Sequence, residues 1–384
     1  MIYFDNAATS GVKPQSVIDS VTKAMKEFNS NPGRSGHSLS LKTADAIYKV
    51  REKIASLFGA SGPERVIFTL NCTHSINCVL KGVLGRGDHI IVSSFEHNAV
   101  MRPLNKLGVS YSIANVSLTD DEQTVKNFEE KIRPNTRMVF CTGASNVFGK
   151  ILPIKEIGNL CRKKGILFGV DAAQTAGVIP INMKEMCIDF LCIAPHKGLY
   201  APMGCGILIS EKSIPKTVLE GGTGTNSVDY FQPEFYPEKH ESGTLNVPTI
   251  FGIGAGIDFV KKITPKKIYA HELNLAKEVY RKLKIRDDII LYTPEPLLWG
   301  YAPVISFNFK EIDSANVSRI LSDFGVAVRG GLHCAPLAHN YMGTLDGGAV
   351  RLSFGSFNTG NEVERFLRLI NSENFLKKLK FSIE

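Results

Sequence analysis

Ile166-Leu167-Phe168-Gly169-Val170-Asp171-Ala172-Ala173-Gln174 and, shortly after it, Phe190-Leu191-Cys192-Ile193-Ala194-Pro195-His196-Lys197 decide how this chain is read. Each is a short apolar run that ends in a polar cluster. Such runs predict buried strands of a parallel sheet, where ligands bind beyond the carboxyl ends of the strands. Asp171 and Lys197 then face one crevice. An amine able to form a Schiff base and a carboxylate able to keep a ring nitrogen protonated are the pair that pyridoxal phosphate (PLP) needs. Alone, Asp171 reads as a loop cap and Lys197 as a surface charge, so the pairing carries the argument.

Outward from these strands, helix and strand alternate between residues 14 and 260. Helical spacing over 14–28, 39–58, 75–84 and 154–164 separates strands expected at 66–69, 89–92, 138–141, 167–170, 190–193 and 206–209. This order predicts an α/β fold with a mainly parallel, doubly wound sheet. A long helix is expected over 247–262. Gly252, Gly254 and Gly256 fall inside it with no strand before them, so close helix packing explains them better than dinucleotide binding. Helices at 267–284, 315–324 and 362–370 and strands at 289–292, 304–309, 326–329 and 350–354 then read as a smaller α+β domain. The expected division is a large domain over 14–260 and a small domain made of 1–13 with 261–384.

At 384 residues the chain can hold two domains, and 43% hydrophobic with 21% charged residues is ordinary for a soluble globular protein. No stretch reads as a membrane span, and the start lacks the pattern of a secretory signal. The eight cysteines form no CxxC pair, which argues against zinc and a disulfide framework. Free thiols suggest a reducing, cytoplasmic setting. The net charge of +8 is dispersed and lacks an interleaved aromatic pattern, so no direct nucleic-acid partner is expected.

Other polar groups collect at the same sheet edge. Asn71-Cys72-Thr73-His74 follows a strand and opens a helix, which suits a phosphate site or a simple threonine cap. His97, within Glu96-His97-Asn98, could stack on a planar ring, shuttle protons or cap a helix. Asn146 falls in the equivalent place after the next strand. Chance rarely aligns five such groups. Further on, Arg329-Gly330-Gly331-Leu332-His333-Cys334-Ala335 is a polar turn able to present Cys334 outward, with His333 and Arg329 favouring its thiolate. Cys141, Cys161, Cys187 and Cys192 read instead as small buried hydrophobes. Arg351, on an apolar strand, suits a grip on a substrate carboxylate or an internal ion pair.

Together these residues resemble fold-type I PLP enzymes of the class V aminotransferase group, and within it the cysteine desulfurase/selenocysteine lyase family. The likeness runs from Phe4-Asp5-Asn6-Ala7-Ala8-Thr9 through the segments above and Glu241-Ser242-Gly243-Thr244 to Arg351 and Phe357-Asn358-Thr359. The short cysteine loop resembles the group II branch. The resemblance implies conversion of L-cysteine to L-alanine, with sulfur passed to Cys334 as a persulfide. Lys197 would hold PLP covalently, Asp171 would pair with its pyridine nitrogen, Gln174 with its hydroxyl, and His97 would stack on the ring. Thr73, Cys72 and His196 would lie at the phosphate, with Thr244 reaching in from the second subunit of a homodimer. Asn146 and Arg351 would bind the amino-acid carboxylate, and Arg329, His333, Asn6 and Ala7 would complete the substrate site. The family also implies a sulfur-acceptor protein. L-selenocysteine is the alternative substrate; a class V aminotransferase and a non-catalytic dimeric scaffold are more distant readings. Two positions depart from the pattern: Ala194 replaces a usual hydroxyl at the phosphate, and Cys72 a common threonine. A lost charge-assisted hydrogen bond costs about 1.5–3 kcal/mol.

Overall fold

The computed structural model describes residues 1–33, 35–225 and 227–380. In chain order its first part contains β1 (Ile2–Tyr3), α1 (Gln15–Glu27), α2 (Ser38–Phe58), β2 (Val66–Thr69), α3 (Cys72–Val83), β3 (His89–Ser93), α4 (Asn98–Leu107), β4 (Ser110–Ala114) and α5 (Asp121–Glu129). It continues with β5 (Thr136–Thr142), α6 (Ile154–Lys164), β6 (Leu167–Asp171), β7 (Phe190–Ile193), β8 (Gly206–Ser210) and α7 (Val247–Ile263). The second part holds α8 (Pro265–Lys284), β9 (Ile289–Leu291), β10 (Val304–Phe309), α9 (Ser314–Asp323), β11 (Val326–Ala327), α10 (Pro336–Tyr341), β12 (Val350–Ser353), α11 (Gly360–Ile370) and α12 (Glu373–Lys380).

The large sheet has the order β2-β8-β7-β6-β5-β3-β4. Only β8 runs against the others, being antiparallel to both β2 and β7. Apart from the edge strand β4 and the polar start of β5, its strands are mainly apolar because both faces are covered. Val66, Phe68, Ile91, Val139, Cys141, Leu191 and Ile193 point into one core. Their neighbours Ile67, Ile90, Val92, Met138, Phe140, Phe190 and Cys192 point into another. A run without polar alternation is what such double burial selects. Since β2, β3, β5, β6 and β7 share one direction, their carboxyl ends lie along one edge.

Glycines in α7 serve close packing. A Cβ at Gly252 would stand 2.6 Å from Pro202, one at Gly254 2.9 Å from Val50, and one at Gly256 1.9 Å from the Leu199 carbonyl oxygen. The Glu241 carboxylate is buried against the Arg51 guanidinium (2.8 and 2.6 Å) and also accepts the Phe68 amide at 2.6 Å. That clamp fixes the 241–244 loop to α2 and β2.

Ile2 and Phe4 join a separate core with residues of α8, β10, α9, β12, α11 and α12. There β10 lies between β9 and β12, antiparallel to both, while β1 pairs with β11. The helix α8 straddles the two bodies: Ile268 and Leu273 belong to the first core, Ala276 and Val279 to the second. On it, Glu272 is 2% exposed and its side-chain carboxyl group forms no hydrogen bond or ion pair among the described residues. It borders a cavity of about 40 Å³ beside Tyr200 and Lys197. Burial drives its carboxyl well above the ordinary value. The folded chain therefore holds this proton more tightly than the unfolded chain. Its stabilisation is complete below the ordinary carboxyl pKa and is lost as pH rises toward the folded value. Glu272→Gln is accordingly expected to raise Tm by about 2 °C or more at pH 8 and to leave it nearly unchanged at pH 4. Equal changes at the two pH values in thermal melts would contradict this.

Candidate active site

Five loops at the shared strand edge enclose a cavity of about 140 Å³, lined by Cys72, Thr73, His97, Asn146, Asp171 and Lys197 among others. Gln174, Ala194 and His196 complete its wall. Lys197 is half-buried. Desolvation lowers its pKa, against the opposing pull of Asp171. Asp171 Oδ1 accepts the Ala173 amide at 2.9 Å and faces the Cys72 thiol at 3.6 Å. Burial, reinforced by Asp171, raises the Cys72 pKa well above the ordinary thiol value, so this cysteine is a neutral wall.

The helix α3 begins earlier than the sequence pattern suggests. Asn71 is its cap, accepting the His74 amide at 2.9 Å. Thr73 is therefore not the cap; its hydroxyl stays at the cavity mouth beside the first amides of the helix, an anion-binding arrangement. His97 caps α4, its Nδ1 accepting the Ala99 amide at 2.9 Å, so the neutral ring carries its proton on Nε2. Burial lowers its pKa, with Lys197, Arg329 and Arg102 adding and Asp171 opposing. Capping and lining the cavity are thus combined in one residue. His196 Nδ1 meets the Thr9 hydroxyl at 3.0 Å; burial and the neighbouring lysines hold its pKa down at about 4.

Gln174 donates to the Ala7 carbonyl at 3.1 Å. Asn6 spends its amide on the Ser353 carbonyl (3.1 Å) and Asn358 Oδ1 (3.0 Å), so it ties the N-terminal segment to the second body. Asn6 and Ala7 border the smaller cavity on the other side of Lys197. Thr244 is exposed and does not line the cavity of its own chain.

Arg351 is 1% exposed and is ion-paired: Nη2 lies 2.5 Å from Asp5 Oδ1, and Nη1 donates to the Asn146 carbonyl at 2.9 Å. Its Nε is buried without a hydrogen-bond partner among the described residues. Asn146 Nδ2 donates to the His333 carbonyl at 2.8 Å, which joins this arginine to the cysteine loop. In that loop Gly331 has φ +100°, and His333 and Cys334 follow at +49° and +58°, left-handed values that non-glycine residues rarely adopt. The turn leaves Cys334 exposed, with its carbonyl held by the Asn98 amide at 2.7 Å. Arg329 Nη2 lies 3.8 Å from Cys334 Sγ.

His333 corrects the sequence reading. It is 2% exposed, its Nε2 bonds the Ala349 carbonyl at 2.9 Å, and burial with nearby Arg351 lowers its pKa to about 3. A neutral ring directed into the protein supplies no positive charge to the thiol. Of the two neighbours expected to favour the thiolate, Arg329 keeps its place beside the sulfur. Two carboxylates also escaped sequence reasoning. Asp5 supports Arg351. Glu96 joins the end of β3 to β5 through the Ser93 hydroxyl and the Thr142 amide, and burial raises it to about 8. Each stands inside a quoted motif, and an acid beside apolar neighbours was the available signal.

Among the described residues no helix is long and apolar enough to cross a membrane. The chain resembles a probable cysteine desulfurase of Methanothermobacter thermautotrophicus, with 32% identity over 373 residues covering 94% of this chain and 92% of the relative. A cysteine desulfurase of Haloferax volcanii is 30% identical over 97% of this chain and 89% of its own length. The apo cysteine desulfurase structure from Thermococcus onnurineus superposes with TM-score 0.88 at 31% identity, covering 98% of this chain and 95% of that one. The Escherichia coli cysteine desulfurase CsdA, in an S-sulfonic acid form, gives TM-score 0.85 at 26% identity, covering 98% and 95%. With the Aminotransferase class-V profile matching residues 2–366, the chain belongs to the class V aminotransferase family, in which these relatives are cysteine desulfurases.

Proposed function

We propose that this chain is a PLP-dependent cysteine desulfurase that converts L-cysteine to L-alanine and carries the released sulfur on Cys334. The observation that carries this reading is the exposed Cys334 thiol, with a guanidinium 3.8 Å away, on a loop tied through Asn146 to the Lys197 cavity. An aminotransferase would leave that thiol without a purpose.

The donor set fits PLP. Lys197 would hold its carbonyl carbon, Asp171 its ring nitrogen and Gln174 its hydroxyl, while His97 would cover the ring. The α3 amides, Thr73 and His196 would take the phosphate, and Cys72 and Ala194 would pack beside it. When bound, PLP supplies an electron sink for negative charge at the substrate Cα.

The residues supply the rest. Asn146, at the cavity wall, and Arg351, bonded to the Asn146 carbonyl, bind the substrate carboxylate once the guanidinium is uncovered. Lys197, kept toward the neutral amine by burial, takes the Cα proton. The Cys334 thiolate attacks the substrate sulfur: the Sγ–S bond forms, the Cβ–S bond breaks, and the carbon keeps the electron pair and gains a proton. The products are a Cys334 persulfide and alanine, with no external oxidant. Arg329 stabilises charge on Cys334 Sγ.

The short turn between β11 and α10 supports the group II reading, and the second core, drawn from residues 2–4 and 275–379, supports setting 1–13 with 261–384 apart from 14–260. A homodimer is supported by exposed Val228, Tyr230 and Phe231 in a segment bonded to the Thr244 loop through Gln232 and Ser242. Thr244 would then serve the partner subunit's phosphate site. Eight free thiols suit a cytoplasmic setting.

Cys334→Ser is expected to lower alanine formation from L-cysteine at least a hundredfold while the visible absorption of bound PLP persists. Mass spectrometry should find added sulfur on Cys334 in the parent enzyme. Undiminished alanine formation in the variant would remove Cys334 from the reaction. Retained turnover of L-selenocysteine alone would instead support the lyase reading, because C–Se cleavage does not strictly require a protein thiol.

A further inference from the structure

Cys334 does not open onto bare solvent. It lines a groove of about 350 Å³ whose walls are two helices that both begin at the cavity. One wall is the row Thr73, Asn77 and Lys81 of α3; the other is Asn98, Arg102 and Lys106 of α4. Residues four apart share a helix face, so each row is a ladder leading from the reacting sulfur to the surface. Both ladders end in cations. Arg102 and Lys106 are exposed, none of the three cations forms an ion pair among the described residues, and no carboxylate lines the groove.

We propose that this groove receives an acidic, extended segment of a sulfur-acceptor polypeptide and guides that segment's thiol to Cys334. Charge complementarity names the partner: three unpaired cations along a narrow channel hold aspartates and glutamates flanking a cysteine. The groove has no Phe, Tyr or Trp, and its one imidazole, His97, is held by its capping bond to the Ala99 amide, which disfavours single-stranded nucleic acid. This inference rests on Cys334 being the sulfur carrier. In the transfer, the acceptor thiolate attacks the outer sulfur of the Cys334 persulfide. A new S–S bond forms to the acceptor, the old one breaks, and its electron pair stays on Cys334 Sγ beside Arg329. The exchange is redox-neutral.

The test uses the full-length holoenzyme and a short synthetic peptide with one cysteine flanked by aspartates and glutamates. A matched peptide carries asparagine and glutamine, and a labelled serine version of each reports binding by anisotropy. The charge reversal Arg102→Glu/Lys106→Glu should weaken binding of the acidic peptide, and sulfur transfer to it, by about tenfold or more. The neutral peptide should be unaffected, and alanine formation with dithiothreitol as acceptor should stay at the parent rate. Arg102→Gln/Lys106→Gln should fall between. Equal binding of acidic and neutral peptides, or no change on reversal, overturns the proposal. So does displacement of the acidic peptide by an equal concentration of oligouridylate. If the parent enzyme forms no alanine with dithiothreitol, the desulfurase reading fails, while the anisotropy still decides the groove.

Discussion

Lys197→Ala is expected to reduce alanine formation from L-cysteine by roughly ten-thousand-fold or more, since it removes both the group that holds the cofactor and the base that moves the Cα proton. The side chain is half-buried, and its pKa is pushed down mainly by desolvation. Less free energy is then needed to keep it unprotonated at neutral pH, and an unprotonated amine is what proton abstraction uses. Lys197→Arg should be equally inactive, because a guanidinium stays charged and cannot act as that base. Added methylamine should restore part of the proton transfer in Lys197→Ala and none in Lys197→Arg. Thermal melts of the unliganded proteins separate chemistry from folding: burying an amine is costly, so Lys197→Ala should be no less stable than the parent. A Lys197→Ala enzyme that retained a tenth of the parent turnover would remove this residue from the centre of the reaction.

How much of this was legible without coordinates depended on what each signal required. The buried strands announced themselves through unbroken apolar runs, because a strand covered on both faces leaves no position for a polar side chain. The edge strand β4 gave no such signal: Ser110–Ala114 alternates exposed and buried positions. The helix α5 was equally quiet, burying only Thr124 and Phe128 in a polar sequence. The helix α4 was hidden by Pro103, which sits inside it. At the site, residue type and position after a strand were enough to collect Asp171, Lys197, His97 and Asn146. Side-chain direction was not available. That is why His333 read as a thiol activator although its ring faces Ala349, and why Arg102 and Lys106 were lost within a charge that looked dispersed. Proximity in sequence names the loop. Only the turn conformation says which of its side chains face outward.

Arg351 carries a second large effect, in which stability and substrate capture can be separated. The sequence left two explanations open, a carboxylate grip or an internal ion pair; the geometry shows the ion pair, and a grip requires the buried guanidinium to be uncovered when substrate binds. Its two terminal nitrogens are taken by Asp5 and the Asn146 carbonyl, while Nε is left over. Arg351→Met fills the volume but strands the Asp5 carboxylate. Breaking one side of a buried pair costs about 3–5 kcal/mol, and the lower end applies here because the Asp5 side chain is 20% exposed. The same change deletes the charge-assisted contact to the substrate carboxylate, worth about 1.5–3 kcal/mol, which corresponds to roughly a 10- to 150-fold fall in kcat/KM. Asp5→Asn/Arg351→Met distinguishes the two roles. Neutralising the stranded acid should return much of the lost stability in denaturant melts, yet kcat/KM should remain as low as in Arg351→Met. If the double variant recovered both, Arg351 would act only through the fold, and the carboxylate would have to be bound elsewhere, with Arg329 the nearest remaining guanidinium. If it recovered neither, the ion pair with Asp5 would not be what stabilises this corner of the second body.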